Sequence, residues 1–436
     1  MDDAAVDDAA VDDTAVDDAA VDDAAVDDAA VDEGAARPTL GVGMVGYGFM
    51  GAAHSHAWRT AAHVLDLPLT PRMVALGGRD AAAAGAAARR HGWATAESDW
   101  RALIGRPDIQ LIDICAPGDA HAEIAIAALD AGQHVLCEKP LATTVPQAQA
   151  MAAAAARAAA RGIRSMIGFN YRRVPAIALA RRLIRDGRLG QLRQVRASYR
   201  QDWLADPAFP LTWRLQREHA GAGALGDLGS HIVDLSQHLT GELITAVSGT
   251  TATFVTERPL PGPDVAGPDV AGPDVPGPPG AAPRTGPVTV DDAALFTARL
   301  GASTLGSFEA TRFASGRKNE LRIEVNGERG SLAFNLEQLN ELQFYDAQDG
   351  ETAGFRRILV TEPGHPYLSA WWPPGHVLGW DVTFTHEIAD LVTAIAAGTR
   401  PEPSFAAGLQ VQRVLAAVED SAAHDSRWTP VPPPGS

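Results

Sequence analysis

The stretch that most limits what this chain can become is LGVGMVGYGFMG, residues 40–51. An apolar run of strand character ends in Gly46, Gly48 and Gly51, and a helical pattern follows. A tight turn at such a junction needs glycine. The N–H groups that open the following helix then face any anion laid across the turn. A GxGxxG spacing alone arises by chance in a chain with 42 glycines. Set between a first strand and a helix, it reads as a cradle for the pyrophosphate of a dinucleotide. It also limits the architecture, because a strand–turn–helix of this kind begins a parallel sheet covered by helices on both faces.

The next 120 or so residues keep that rhythm. Strand patterns at 72–78, 109–117, 134–140 and 165–170 alternate with helical patterns at 80–91, 119–132 and 144–161. Beyond 190 the pattern becomes strand after strand with hairpin-type turns, interrupted by a helix at 226–240 and closed by helices near 383–397 and 405–421. The expected class is α/β. A dinucleotide-binding domain over 37–168 is followed by a second domain over 169–436 with a largely antiparallel sheet. Residues 1–36 form a separate acidic tail in which DDAAV repeats, with Thr14 replacing one alanine. Its valines make no helical stripe and its charge repels itself, so disorder is expected there. A second repeat, GPDVA, fills a Pro/Gly loop within 259–287 and reads as solvated and semi-extended.

Charge excludes more than it identifies. The formal charge is −18, but residues 1–33 hold 13 Asp and one Glu without a Lys or Arg, which leaves the remaining 403 residues at −4. A nearly neutral body with no basic stripe argues against a nucleic-acid partner. No apolar run approaches the ~20 residues that span a bilayer. The N-terminus has no signal-peptide pattern, and Cys115 and Cys137 sit in apolar strands. A cytoplasmic protein without a membrane partner is the expectation.

Three segments carry candidate chemistry. NAD enzymes commonly place an acid at the end of the second strand to hold the ribose diol. Here Gly78 stands at that point, Arg79 follows and Asp80 comes two residues late. Arg79 suits a 2′-phosphate or an adenine face, and Asp80 suits either the diol or the cap of the next helix. CEKP, residues 137–140, ends a buried strand, so Glu138 and Lys139 lie at the sheet's carboxyl edge, where ligands bind in such folds. In GDLGSHIVDL, residues 226–235, Asp227 and His231 are four apart and leave one helical face. They form either half of a proton-transfer site or a helix cap beside a satisfied histidine. Metal sets are poor: His54 and His56 face apart on a helix, and His231, Asp234 and His238 have unsuitable spacing.

As a set, GYGFMGAAHSHAWR, ICAPGDAHAEIAIAALDAGQHVLCEKPLA, GFNYRR and GALGDLGSHIVDL resemble the glucose–fructose oxidoreductase / inositol dehydrogenase (Gfo/Idh/MocA) family over about residues 38–425. YRQDWLADPAFPLTWR and TEPGHPY are similar to its levoglucosan dehydrogenase-like and myo-inositol dehydrogenase-like members. The resemblance implies a Rossmann domain followed by an α/β domain with an open, mostly antiparallel sheet for substrate binding and oligomerisation over 169–436, NAD or NADP as cofactor, a sugar, anhydrosugar or cyclitol as substrate, and a homodimer or homotetramer. It implies Lys139, Asp227 and His231 as catalytic residues, with His231 the base. It implies cofactor contacts from Gly46, Gly48, Phe49, Met50, Gly51, Arg79, Pro117, His121, Glu138 and Lys139. Tyr171, Arg172, Gln201 and Trp203 are the implied substrate contacts beside the catalytic three, and Trp213 lies with them in segments that face the cleft in the family. The family's TPN strand end is here Ala116-Pro117-Gly118, which removes an asparagine side chain from the nicotinamide end. A non-catalytic dinucleotide-binding regulator and a redox-assisted glycosidase are the alternative readings. The first of these need not keep Lys139, Asp227 and His231 together.

Overall fold

The computed structural model describes residues 37–261 and 284–434. The acidic tail 1–36 and most of the Pro/Gly repeat lie outside these described residues. The first sheet is built from β1 (Thr39–Val45), β2 (Thr70–Gly77), β3 (Thr95–Glu97), β4 (Leu111–Ile114), β5 (His134–Glu138) and β6 (Ser165–Gly168), interleaved with α1 (Phe49–Val64), α2 (Ala81–His91), α3 (His121–Asp130) and α4 (Val145–Ala159). Its strands are parallel, in the order β3-β2-β1-β4-β5-β6. This is the doubly wound arrangement, with the order reversing between β1 and β4. Every residue of β4 is buried, as a strand covered on both faces requires.

After α5 (Pro175–Arg185) comes β7 (Leu192–Arg200) and the short α6 (Arg217–Ala220). A π-helical turn at Leu225–Gly229 then runs into α7 (Ser230–Thr240). The chain continues through β8 (Ile244–Ala252), β9 (Glu257–Pro259), β10 (Thr285–Pro287), β11 (Ala293–Leu300), β12 (Thr304–Thr311), β13 (Glu320–Gly327), β14 (Gly330–Asn335), β15 (Glu341–Asp346) and β16 (Arg356–Leu359). It ends with α8 (Val382–Ala397), α9 (Phe405–Ala423) and β17 (Thr429–Pro430). The large sheet has the order β16-β15-β14-β13-β7-β12-β11-β8-β17, and only its β7–β12 pair is parallel. Alternating burial along β11 and β13 gives it one packed face and one exposed face.

The expected regular helix over 226–240 is corrected at its start. The segment at Asp227 closes wider, π-type turns, and regular α geometry begins only at Ser230. Such single π turns recur at functional sites.

A smaller device lies at the β9–β10 hairpin, which stands apart from both large sheets. Arg258, fully buried, donates from Nη1 to the carbonyl of Asp206 at 2.8 Å and from Nη2 to that of Leu204 at 2.7 Å. It also reaches the Phe209 carbonyl. One guanidinium thereby ties a surface loop down at three points.

Candidate functional site

The carboxyl ends of β1, β4 and β5, together with residues 213–227, enclose a cleft of about 500 Å³ at the switch point. Gly46 sits at φ +104°, and its amide donates to the Gly77 carbonyl at 2.9 Å. A Cβ there would lie 2.5 Å from the Cys115 carbonyl oxygen, so only glycine lets β1 turn this close to β4. Gly48 is the N-cap of α1, no side chain caps it, and the first turn holds no acid. Four unsatisfied amides and the positive end of the helix dipole therefore remain for an anion. This backbone cradle fits a dinucleotide pyrophosphate.

Gly46, Gly48, Phe49, Met50, Arg79, Pro117, His121, Glu138 and Lys139 all line the cleft. Gly51 does not: it packs beneath the turn, where a Cβ would come 2.3 Å from the Gly46 carbonyl oxygen. Asp80 is placed as a cap, accepting the Ala83 amide at 3.0 Å, and it is not on the wall. His121 braces the loop that carries Pro117, its two ring nitrogens 2.9 and 3.0 Å from the Ala116 and Pro140 carbonyl oxygens.

The lysine and the carboxylate meet. Lys139 Nζ donates to Asp227 Oδ1 at 3.0 Å and to the Asp227 carbonyl at 3.1 Å, and both residues line the cleft. Burial pushes the Asp227 carboxyl up, but the Lys139 ammonium, with Arg312 and Arg214, holds it well below the usual carboxylate range. His231 is buried one turn on, its ring 4.6 Å from that of Tyr171 and near Phe169 and Tyr199. Burial and the neighbouring Lys139 charge push its imidazole well below its ordinary value, so it is neutral at physiological pH. It stands behind the wall rather than on it.

The expected substrate contacts are placed differently. Arg172 donates from Nε to Asp234 Oδ2 at 2.7 Å, inside an ion pair that turns it from the cleft. Tyr171 shares a hydrogen bond of 2.9 Å with Tyr199 and accepts one from Trp380. Gln201 donates to Asn319 and accepts from Trp203. None of these four lines the cleft, whereas Trp213, expected with them, does, together with Arg214 and Arg312.

His54, which helix geometry rules out as a metal pair with His56, has partners of its own. Its Nδ1 lies 3.0 Å from Asp113 Oδ2 and its Nε2 lies 2.9 Å from Glu138 Oε1, all in the protein interior. One donor each from His54, Asp113 and Cys115 falls within 4.8 Å. Those donors bond to one another, and burial beside Asp113 keeps the Cys115 thiol protonated, so the set reads as a hydrogen-bond cluster.

A doubly wound sheet with a bare glycine cradle, sharing one cleft with a lysine–carboxylate pair, defines a dinucleotide-dependent oxidoreductase. The family model for the oxidoreductase family, NAD-binding Rossmann fold, matches residues 40–164, and that for the GFO/IDH/MocA C-terminal domain matches residues 177–333. Levoglucosan dehydrogenase of Pseudarthrobacter phenanthrenivorans is 43% identical over 398 residues, covering 90% of this chain and 98% of its own. The crystal structure of an oxidoreductase domain protein from Kribbella flavida superposes with a TM-score of 0.84 at 61% identity, covering 91% of this chain and 100% of its own. A levoglucosan dehydrogenase structure in complex with NADH and levoglucosan superposes with a TM-score of 0.82 at 40% identity, covering 91% and 100%. The chain belongs to the GFO/IDH/MocA oxidoreductase family. It is an enzyme of that family, with NAD as its cofactor. Among the described residues, no helix is long and apolar enough to cross a membrane.

Proposed function

We propose that this enzyme oxidises a secondary hydroxyl of a sugar, anhydrosugar or cyclitol to a ketone, with an anhydrosugar such as levoglucosan the first substrate to test. The observation that carries the reading is the Lys139–Asp227 pair, 3.0 Å apart on the wall of the same cleft as the glycine cradle. The similarity to levoglucosan dehydrogenase supports the substrate class.

Gly46, Gly48, Phe49 and Met50 would hold the cofactor's pyrophosphate, and Pro117, His121 and Glu138 line the wall towards Lys139. When bound, NAD supplies the hydride acceptor. The Lys139 ammonium stabilises negative charge that develops on the substrate oxygen. Asp227 keeps that ammonium in place and offers an acceptor to a neighbouring hydroxyl. His231, neutral behind them, takes the proton released from the hydroxyl. A second reading has the proton leave through the Lys139–Asp227 pair, which is favoured by the pair's place on the wall and His231's place behind it. The two free cysteines support a reducing, cytoplasmic setting.

The test is NAD reduction against a panel of anhydrosugars, free sugars and cyclitols, repeated with Lys139→Ala and His231→Ala. Turnover of a panel member that either variant removes supports the reading. Wild-type binding of NAD without turnover of any member would overturn this substrate class. Loss with Lys139→Ala but not with His231→Ala would select the second proton route.

A further inference from the structure

We propose that His54 is a positioning residue for Lys139, acting through the Glu138 carboxylate. The inference rests on the reading of Lys139 given above.

The geometry forms one continuous chain. His54 leaves α1 one turn past the glycine cradle and meets Asp113 of β4 on one side and Glu138 of β5 on the other, at 3.0 and 2.9 Å. Both ring nitrogens face carboxylate oxygens, so the imidazole satisfies both only when doubly protonated. Burial would strip that proton, but the Asp113 carboxylate keeps it on and raises the imidazole well above its ordinary value. Asp113 is itself fixed, accepting the Trp58 indole N–H at 2.8 Å. Glu138 then uses its second oxygen to accept the backbone amide of Lys139 at 3.1 Å. A Cβ at Gly168 would come 3.0 Å from Glu138 Oε1, so that side of the carboxylate is closely walled. Beyond the clamped amide, the Lys139 side chain runs to Asp227.

A buried ionic trio is a poor device for stability, since apolar side chains of equal volume commonly do as well or better. Its place, directly behind the one lysine of the cleft wall, gives it another purpose. A reacting group misplaced by about 1 Å can cost about 10²-fold in rate. A carboxylate held from behind fixes where the lysine leaves its strand.

Two amides separate the contacts. In His54→Gln the amide nitrogen takes the place of Nε2 and still donates to Glu138. In His54→Asn it takes the place of Nδ1 and donates only to Asp113. His54→Asn should lower kcat by about 10–100-fold, with KM for NAD moved less than about threefold, and His54→Gln should recover to within about tenfold of wild type. In a Lys139→Ala background, His54→Asn should cost less than about threefold more, because its target is gone. Equal loss in both amides, a full additional loss in the Lys139→Ala background, or unchanged kcat in folded His54→Asn would overturn the proposal. If His54→Asn does not accumulate, Glu138→Gln carries the same expectation for kcat in both backgrounds. Lys139→Ala alone leaving kcat intact would instead overturn the reading of the site.

Discussion

Gly78→Asp restores the acid that many NAD enzymes carry, and the structure says what must give way. A Cβ at residue 78 would lie 2.1 and 2.5 Å from two ring carbons of Tyr47 and 3.4 Å from the Ala84 Cβ. Backbone cannot yield there, because Gly78 donates its amide to the Glu97 carbonyl at 2.9 Å. The ring of Tyr47 must therefore swing into the cleft. Forcing a partly buried ring off its rotamer costs about 0.5–1.5 kcal/mol, and overpacking costs about 1–3 kcal/mol. Gly78→Asp alone should lose about 1–3 kcal/mol. In a Tyr47→Ala background most of that loss should vanish, leaving a coupling of at least about 1 kcal/mol. Urea unfolding of the four proteins, read at unchanged m, measures it. Steady-state kinetics on the same set add a second readout. With the ring removed, a carboxylate at 78 faces the ribose diol and repels a 2′-phosphate. The preference for NAD over NADP should then rise at least about tenfold, or about 1.4 kcal/mol. An equal destabilisation with and without Tyr47 would refute the steric argument, and an unchanged cofactor ratio would show that residue 78 does not face the diol.

Lys139→Ala should lower kcat/KM by about 10²–10³ while calorimetry finds NAD affinity nearly unchanged. Because His231 is neutral well below its ordinary value, the acid limb of kcat/KM should lie below about pH 6.5 and disappear in His231→Ala; a limb at or above that pH would count against His231 as base. Arg172→Met leaves the buried Asp234 carboxylate without its guanidinium and should cost about 3–5 kcal/mol of unfolding free energy, with turnover of the folded fraction retained. His54 has a raised folded-state pKa, so its contribution is full below about pH 6.5 and fades as pH rises through the raised value; destabilisation by His54→Asn should be larger at about pH 6 than at about pH 9. Removal of residues 1–36, too acidic and too poor in large apolar residues to build a core, should leave Tm and turnover unchanged.

Much of this molecule is legible in one dimension. The glycine turn, the alternation of apolar strands with alanine-rich helices and the change to hairpin spacing after 190 are local patterns, and the elements those patterns name sit within a few residues of their places, while β3 and α5 go unnamed by them. Lys139 and Asp227 were legible as neighbours of the cleft because a strand's carboxyl end and a helix's first turn have known destinations. The π turn was not, since no composition rule separates it from an α turn. His54 was dismissed on helix geometry: the i,i+2 relation to His56 says how two side chains diverge, not that β4 and β5 will each bring a carboxylate to one of them. Arg172 looked available because its partner, Asp234, lies 62 residues away. Gly78 looked like a missing acid, when Tyr47, a residue of the glycine turn itself, fills the space an acid would need.

The β9–β10 hairpin is a natural splice point. Its rungs pair Thr285 with Pro259, Gly286 with Arg258 and Pro287 with Glu257, and the Leu260 amide closes the mouth on the Arg284 carbonyl at 2.8 Å. Arg258 bolts that mouth to the 204–209 loop through three carbonyls. Whatever lies between residues 261 and 284 therefore enters and leaves through one closed rung, and doubling the length of such a loop costs only about 0.6 kcal/mol. A sequence drifting in repeat number can lengthen or shrink at this port without moving a residue of the cleft. The same port offers the protein engineer a place to graft an affinity tag, a reporter or a second domain, or to excise the repeat for a two-residue turn.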